Sequence, residues 1–179
     1  MLFRGRQPAA TVWRRFRSGA DEFTFAEADG HYEARVATNA ERAVDLLHVL
    51  SEQLPPVVDV WLEDVRGRRA WRSTEVALPE VREAVARLKV VLAAYGGVEL
   101  AVYSADDQLT LTPDLELYVY ARTDRWLYIL QGKGLVETQT PEPETFALTA
   151  EQLGDAPELS DALEAAAVRL GLERAGARG

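Results

Sequence analysis

The chain of 179 residues contains no cysteine. Disulfide staples, thiolate zinc sites and cysteine nucleophiles are thereby excluded together, and the redox compartment is left undetermined. Histidine is nearly absent: His31 and His48 have no partner histidine at ligand spacing, which argues against a histidine metal site or a catalytic triad. Lysine is equally scarce. Only Lys89 and Lys133 occur, and the other 18 basic residues are arginine, a bias expected of a GC-rich genome rather than of nucleic-acid binding. Long apolar runs are missing too. The longest, Val90 to Tyr95, falls far short of the roughly 20 residues that span a bilayer. Residues 1–20 lack the apolar h-region of a secretory signal, since Trp13 is followed directly by Arg14 and Arg15. The expectation is a cytoplasmic chain without membrane contact and without a cofactor.

What is present is an uneven charge distribution. The net charge is −9, but residues 1–20 carry Arg4, Arg6, Arg14, Arg15 and Arg17 and no acid, a charge of +5 that leaves −14 on the remainder. Residues 134–168 contribute eight of the acids and no lysine or arginine. A body this acidic repels phosphate backbones, so nucleic acid is not expected as a partner. A protein partner or a second copy of the chain is.

Hydrophobic patterning predicts an α+β domain over residues 21–172, preceded by a basic arm (1–20) and followed by a frayed tail (173–179). Two alternating strands joined by a tight turn, then an amphipathic helix, recur three times. The order ββα-ββα-ββββα implies a mainly antiparallel, twisted sheet with helices packed on one face. In the first unit Asp29-Gly30 is a strong two-residue turn signal. Pairing outward from it sets Phe23 opposite Val36 and Phe25 opposite Ala34 on one face, leaving Thr24, His31, Glu33 and Arg35 on the other. Thr38-x-x-Glu41 reads as the capping box of a first helix whose stripe is Ala43, Val44, Leu47, Leu50 and Leu54. Val57 to Val65 is apolar on both faces and is expected to be central in the sheet. Val81, Val85, Leu88, Val91, Leu92 and Tyr95 form the cleanest helical stripe, stopped by Gly96-Gly97. In the third unit Leu115–Arg122 and Trp126–Gln131 read as a hairpin. A C-terminal helix runs to Leu170, with Asp155-x-x-Glu158 as its cap.

Two groups of residues are candidates for function. Asp59, Trp61 and Glu63 alternate onto one strand face, where with Tyr103 they could line a ligand cleft; paired carboxylates there would also serve acid–base chemistry. The expected fourth hairpin sets Tyr118 and Tyr120 opposite Ile129 and Leu127, with Arg122 and Arg125 nearby, a composition favoured at binding hot spots. The competing expectation is that the C-terminal helix covers this face. Asp106-Asp107 reads as a turn, lacking the further oxygen ligands of a calcium loop. Gln131-Gly132-Lys133-Gly134 also reads as a turn, not a phosphate loop. The leading expectation is a non-enzymatic interaction protein, such as an acidic adaptor, chaperone or inhibitor. A small-ligand-binding or sensor domain with a cleft near Trp61 is the alternative, and a carboxylate-dependent enzyme the third.

Overall fold

In a computed structural model the described residues are 21–139 and 154–176. The basic arm, residues 140–153 of the long connection, and residues 177–179 lie outside them. The first hairpin, β1 (Glu22–Ala28) and β2 (His31–Ala37), has the register that the turn dictates, with Phe23 paired to Val36 and Phe25 to Ala34. Asp29 and Gly30 both adopt positive φ, 53° and 76°, as a two-residue turn matched to strand twist requires. Helix α1 (Ala40–Leu50) follows. Its N-cap is Asn39, one residue after the threonine that the sequence suggested: Asn39 Oδ1 accepts from the Arg42 N–H at 2.8 Å, while the Thr38 hydroxyl donates to Asp21.

The second unit comprises β3 (Val57–Asp64), β4 (Arg69–Ala77) and α2 (Leu78–Tyr95), with Pro79 in the first turn of the helix. Helix α2 ends at Gly96, whose φ of 56° and ψ of −158° only glycine adopts readily. A Cβ there would also stand 3.0 Å from the Pro113 carbonyl oxygen. Then come β5 (Val98–Tyr103), β6 (Asp107–Leu111) and β7 (Leu117–Ala121). The predicted eighth strand is instead a helix: Arg125–Gly132 forms α3, placing Trp126 and Leu130, four residues apart, on its buried side. An apolar run of this length fits either period, and the fully buried Trp126 indole decides it by donating to Asp107 Oδ1 at 2.7 Å.

Short β8 (Val136–Glu137), helix α4 (Pro157–Arg169) and β9 (Glu173–Ala175) complete the described chain. No side chain caps α4; Ala156 is its N-cap and Pro157 starts it, so the Asp155 capping expectation fails. Residues 173–175, expected to fray, pair with β4 as an edge strand, where Arg174 lies over the Trp71 ring.

The nine strands form one sheet in the order β8-β1-β2-β7-β6-β5-β3-β4-β9, antiparallel except for β1 with β8. This is an α+β fold, and β3 is interior as its doubly apolar sequence requires. One core face carries Phe23, Val36, Leu62, Leu100, Leu109, Leu117 and Val119, and all four helices bury their apolar stripes in the same cluster. Helix α4 packs beside α2 at the β3 end of the sheet, not over β7. Arg69 anchors it, binding Asp64 at 2.7 Å, Ser160 at 2.7 Å and Glu164 at 3.3 Å.

Candidate functional site

Alternation along each strand sends every second side chain to the face opposite the helices. The cross-strand register then sets these side chains in rows. One row runs Arg72, Trp61, Ala101, Thr110, Tyr118, Arg35; a second runs Asp59, Tyr103, Gln108, Tyr120, Glu33. Two candidate groups about sixty residues apart in sequence thus share one face. Tyr118 and Tyr120 come from β7, and Asp59, Trp61, Glu63 and Tyr103 from β3 and β5.

The expected pairing of Tyr118 and Tyr120 with Ile129 and Leu127 does not occur. The two tyrosines pair with Arg35 and Glu33 of β2 and with Thr110 and Gln108 of β6. Leu127 and Ile129 belong to α3 and pack against the core on the other side of the sheet. Arg125 is held there as well: it binds Asp107 Oδ2 at 2.6 Å, reaches the Gln53 carbonyl at 3.1 Å and lies over the Trp126 ring. Arg122 is exposed and faces Asp106 at 3.5 Å. Of the six residues assigned to the aromatic surface, Tyr118 and Tyr120 are the two that strand pairing sets on the face with Trp61.

Tyr118 and Tyr120 stack with ring centroids 6.1 Å apart. Beside them Arg35 forms a two-pronged pair with Glu116, at 2.6 and 3.2 Å, and the Tyr118 hydroxyl donates to the same carboxylate at 3.2 Å. Burial, reinforced by the Glu116 charge, pushes the Tyr118 phenol up to about 12. Burial also raises Tyr120, with Glu33 and Glu99 adding to the shift. Asp59 has structural employment: its Oδ1 accepts the N–H of Glu75 at 3.0 Å, steadying a residue with φ of 58° beside the irregularity in the β3–β4 register. Trp61, Ala70 and Ala101 form a small apolar cluster, with Tyr103 and Ala175 against it, and among the described residues no helix residue belongs to it. Across β2 to β4 the face carries Glu33, Asp59, Glu63, Glu99 and Glu116 against Arg35 and Arg72, an excess of acid.

Among the described residues no group of three or more His, Asp or Glu side chains is placed to hold a metal ion. Asp107, read from sequence as a turn residue, begins β6 and clamps α3. Lys133 follows the end of α3 and pairs with Glu52 at 3.3 Å. His48 lies in the last turn of α1, its pKa lowered by partial burial and by Arg82 and Lys89. Among the described residues no helix is long and apolar enough to cross a membrane. Sequence reasoning missed Thr110, Gln108, Arg35 and Glu116 as neighbours of the tyrosines. Alternation assigned Arg35 and Tyr118 to faces of their own strands, but nothing local makes β2 the neighbour of β7. Comparison of the chain with protein-family models, curated proteins and solved structures finds no match.

Proposed function

We propose that the chain is a non-enzymatic binding module whose sheet face opposite the described helices engages a protein partner or a second copy of the chain. The observation that carries this reading is the meeting of Tyr118, Tyr120 and Tyr103 with Trp61 on one face, outside the core built by the helices. Tyrosine and tryptophan supply large, stiff contact area with a polar tip, and arginine adds planar recognition. Tyr120 leads outward, with 36% of its surface exposed. The hydroxyls and acids along the same rows favour a basic, partly apolar partner.

A small-ligand reading is supported by the Trp61–Ala101–Tyr103 cluster, an apolar floor flanked by Glu63 and Glu99. The protein-binding reading is favoured because the aromatic side chains come from three strands, β3, β5 and β7, and span two rows of the face, wider than a small molecule needs. Tyr120→Ala separates structure from binding. On the first reading it weakens self-association or partner capture by about 1–2 kcal/mol, the scale of a hot-spot truncation. The denaturant midpoint stays where it was. Sedimentation and equilibrium unfolding on the one variant check both halves; lost stability with unchanged association would refute the reading.

A further inference from the structure

Three carboxylates are buried among the described residues: Asp64, Asp107 and Glu63. Two of them hold an arginine. Asp64 binds Arg69 at 2.7 Å, and Asp107 binds Arg125 at 2.6 Å. Glu63 retains 8% of its exposure, yet among the described residues no donor and no cation reaches its carboxylate. Arg72, one step along the same face of β4, lies opposite Trp61, is exposed and forms no ion pair with Glu63. The register then sets Glu99 of β5 directly opposite Glu63, so that one acid faces another. Like charges in that relation repel, and a buried carboxylate without a counter-charge is costlier still. A residue that lowers stability in this way is a candidate for binding.

We propose that Glu63 and Glu99 are the seat of an arginine side chain that a protein partner brings to this face, supplying Glu63 with the arginine that Asp64 and Asp107 find within the chain. The inference rests on the protein-binding reading above and names the partner's chemistry. Geometry suits a guanidinium. Cβ atoms of directly opposed residues stand about 4.5–5.5 Å apart, so a single planar fork of five N–H donors can reach both carboxylates. Glu99 contributes to raising the Tyr120 phenol, so the acid pair lies within electrostatic reach of the exposed tyrosine. Aromatic rings within that reach suit a guanidinium, which stacks on them, better than a compact ammonium.

Other cations fit less well. A metal ion needs more ligands, and among the described residues no group of three or more acids or histidines is placed to hold one. A second copy meeting this face with its own face would bring acids onto acids, which leaves a different, basic protein as the occupant.

The test uses the full chain and a fluorescein-labelled tetra-arginine peptide, beside tetra-lysine and tetra-citrulline peptides, followed by fluorescence anisotropy at about 0.15 M salt. Tetra-arginine should bind, tetra-lysine several-fold more weakly and tetra-citrulline not at all. Glu63→Gln should weaken tetra-arginine at least about tenfold, as loss of one member of a desolvated charge pair does. Glu99→Gln should weaken it too. Glu80→Gln removes an exposed acid from the first turn of α2, changes the net charge equally and should alter affinity by less than about twofold. The denaturant midpoint of Glu63→Gln should hold or rise, because the free chain loses an acid and no contact. Equal weakening by Glu63→Gln and Glu80→Gln would reduce the effect to bulk charge. Absent binding, or tetra-lysine bound as tightly, would refute a guanidinium seat. A lower midpoint in Glu63→Gln would show that the free chain already pairs this carboxylate. Acetyl-arginine amide as effective as the peptide would make the seat a small-molecule site, and a homodimer dissociated by Glu63→Gln would give it to a second copy. Each of these outcomes overturns the proposal. Tyr120→Ala reports separately: if it lowers partner capture while Glu63→Gln leaves tetra-arginine bound, the aromatic surface stands and the arginine seat falls, and the reverse result spares the seat.

Discussion

Two buried polar contacts show how single residues hold this fold. Asp107 receives both the Trp126 indole N–H and the Arg125 guanidinium, so its carboxylate is what docks α3 on the sheet. Asp107→Ala would leave the indole N–H buried with no acceptor, a cost of about 1–3 kcal/mol. Urea unfolding of that variant measures it; a change within surface-substitution scatter, about 0.5 kcal/mol, would show that α3 docks by apolar packing alone. Tyr118 titrates in the opposite sense to a paired carboxylate. Its folded pKa stands above the ordinary value of 10, at about 12, so the folded state resists losing the proton. Below pH 10 both folded and unfolded phenols are neutral and nothing is lost. Between about pH 10 and 12 only the unfolded chain ionises, and stability falls as pH rises. Wild type should therefore lose more stability than Tyr118→Phe across that window, and spectrophotometric titration should show one late phenol fewer in the variant. Parallel stability curves would contradict the assignment.

Among the elements, α2 carries the central burden. Leu78, Val81, Ala84, Val85, Leu88, Leu92 and Ala93 are buried along it, against α1 on one side and α4 on the other. Leu88→Ala should cost about 2–5 kcal/mol, as for a leucine truncated in a packed core. Val90, 68% exposed on the same helix, supplies the control, and its replacement by alanine should cost within about 0.5 kcal/mol. Equal effects at the two positions would mean that the helix faces the sheet differently. The stripe was legible because six apolar positions, Val81, Val85, Leu88, Val91, Leu92 and Tyr95, repeat at the helical period between Pro79 and Gly96-Gly97. Helix α3 was not legible, since Trp126 to Leu130 holds aromatic and β-branched residues in an order that suits a strand equally well. Its helical state is decided by Asp107, nineteen residues away.

For the molecule as a whole, the junction between β2 and β7 unites the first hairpin with the rest of the sheet, and one core cluster runs beneath both. Phe23 and Val36 share that cluster with Leu163 and Trp126, so the halves have no separate cores to unfold around. Thermal or urea unfolding should accordingly be a single transition, with far-ultraviolet circular dichroism and tryptophan fluorescence coincident. Two resolved transitions would place a domain boundary where the contacts show none.

The sheet face opposite the described helices is where local and tertiary information part. Alternation within each strand already separated Phe23 from Thr24, Leu62 from Trp61 and Val119 from Tyr120. Side-chain direction has a period of two whatever the strand's neighbours, so inward and outward sets, hairpin turns and the long amphipathic helices follow from the sequence by itself. Strand order does not. The pairing of β2 with β7 and of β5 with β3 joins segments separated by some eighty and forty residues, and closing such loops is favourable only through the shared core that every helix and strand helps to build. Tertiary structure alone therefore brought Tyr118 beside Arg35, set Tyr118 in the row of Trp61 and Tyr120 in the row of Tyr103, and placed Leu127 and Ile129 on the other side of the sheet. Outward positions were readable in the chain; which of them become neighbours was decided by long-range packing.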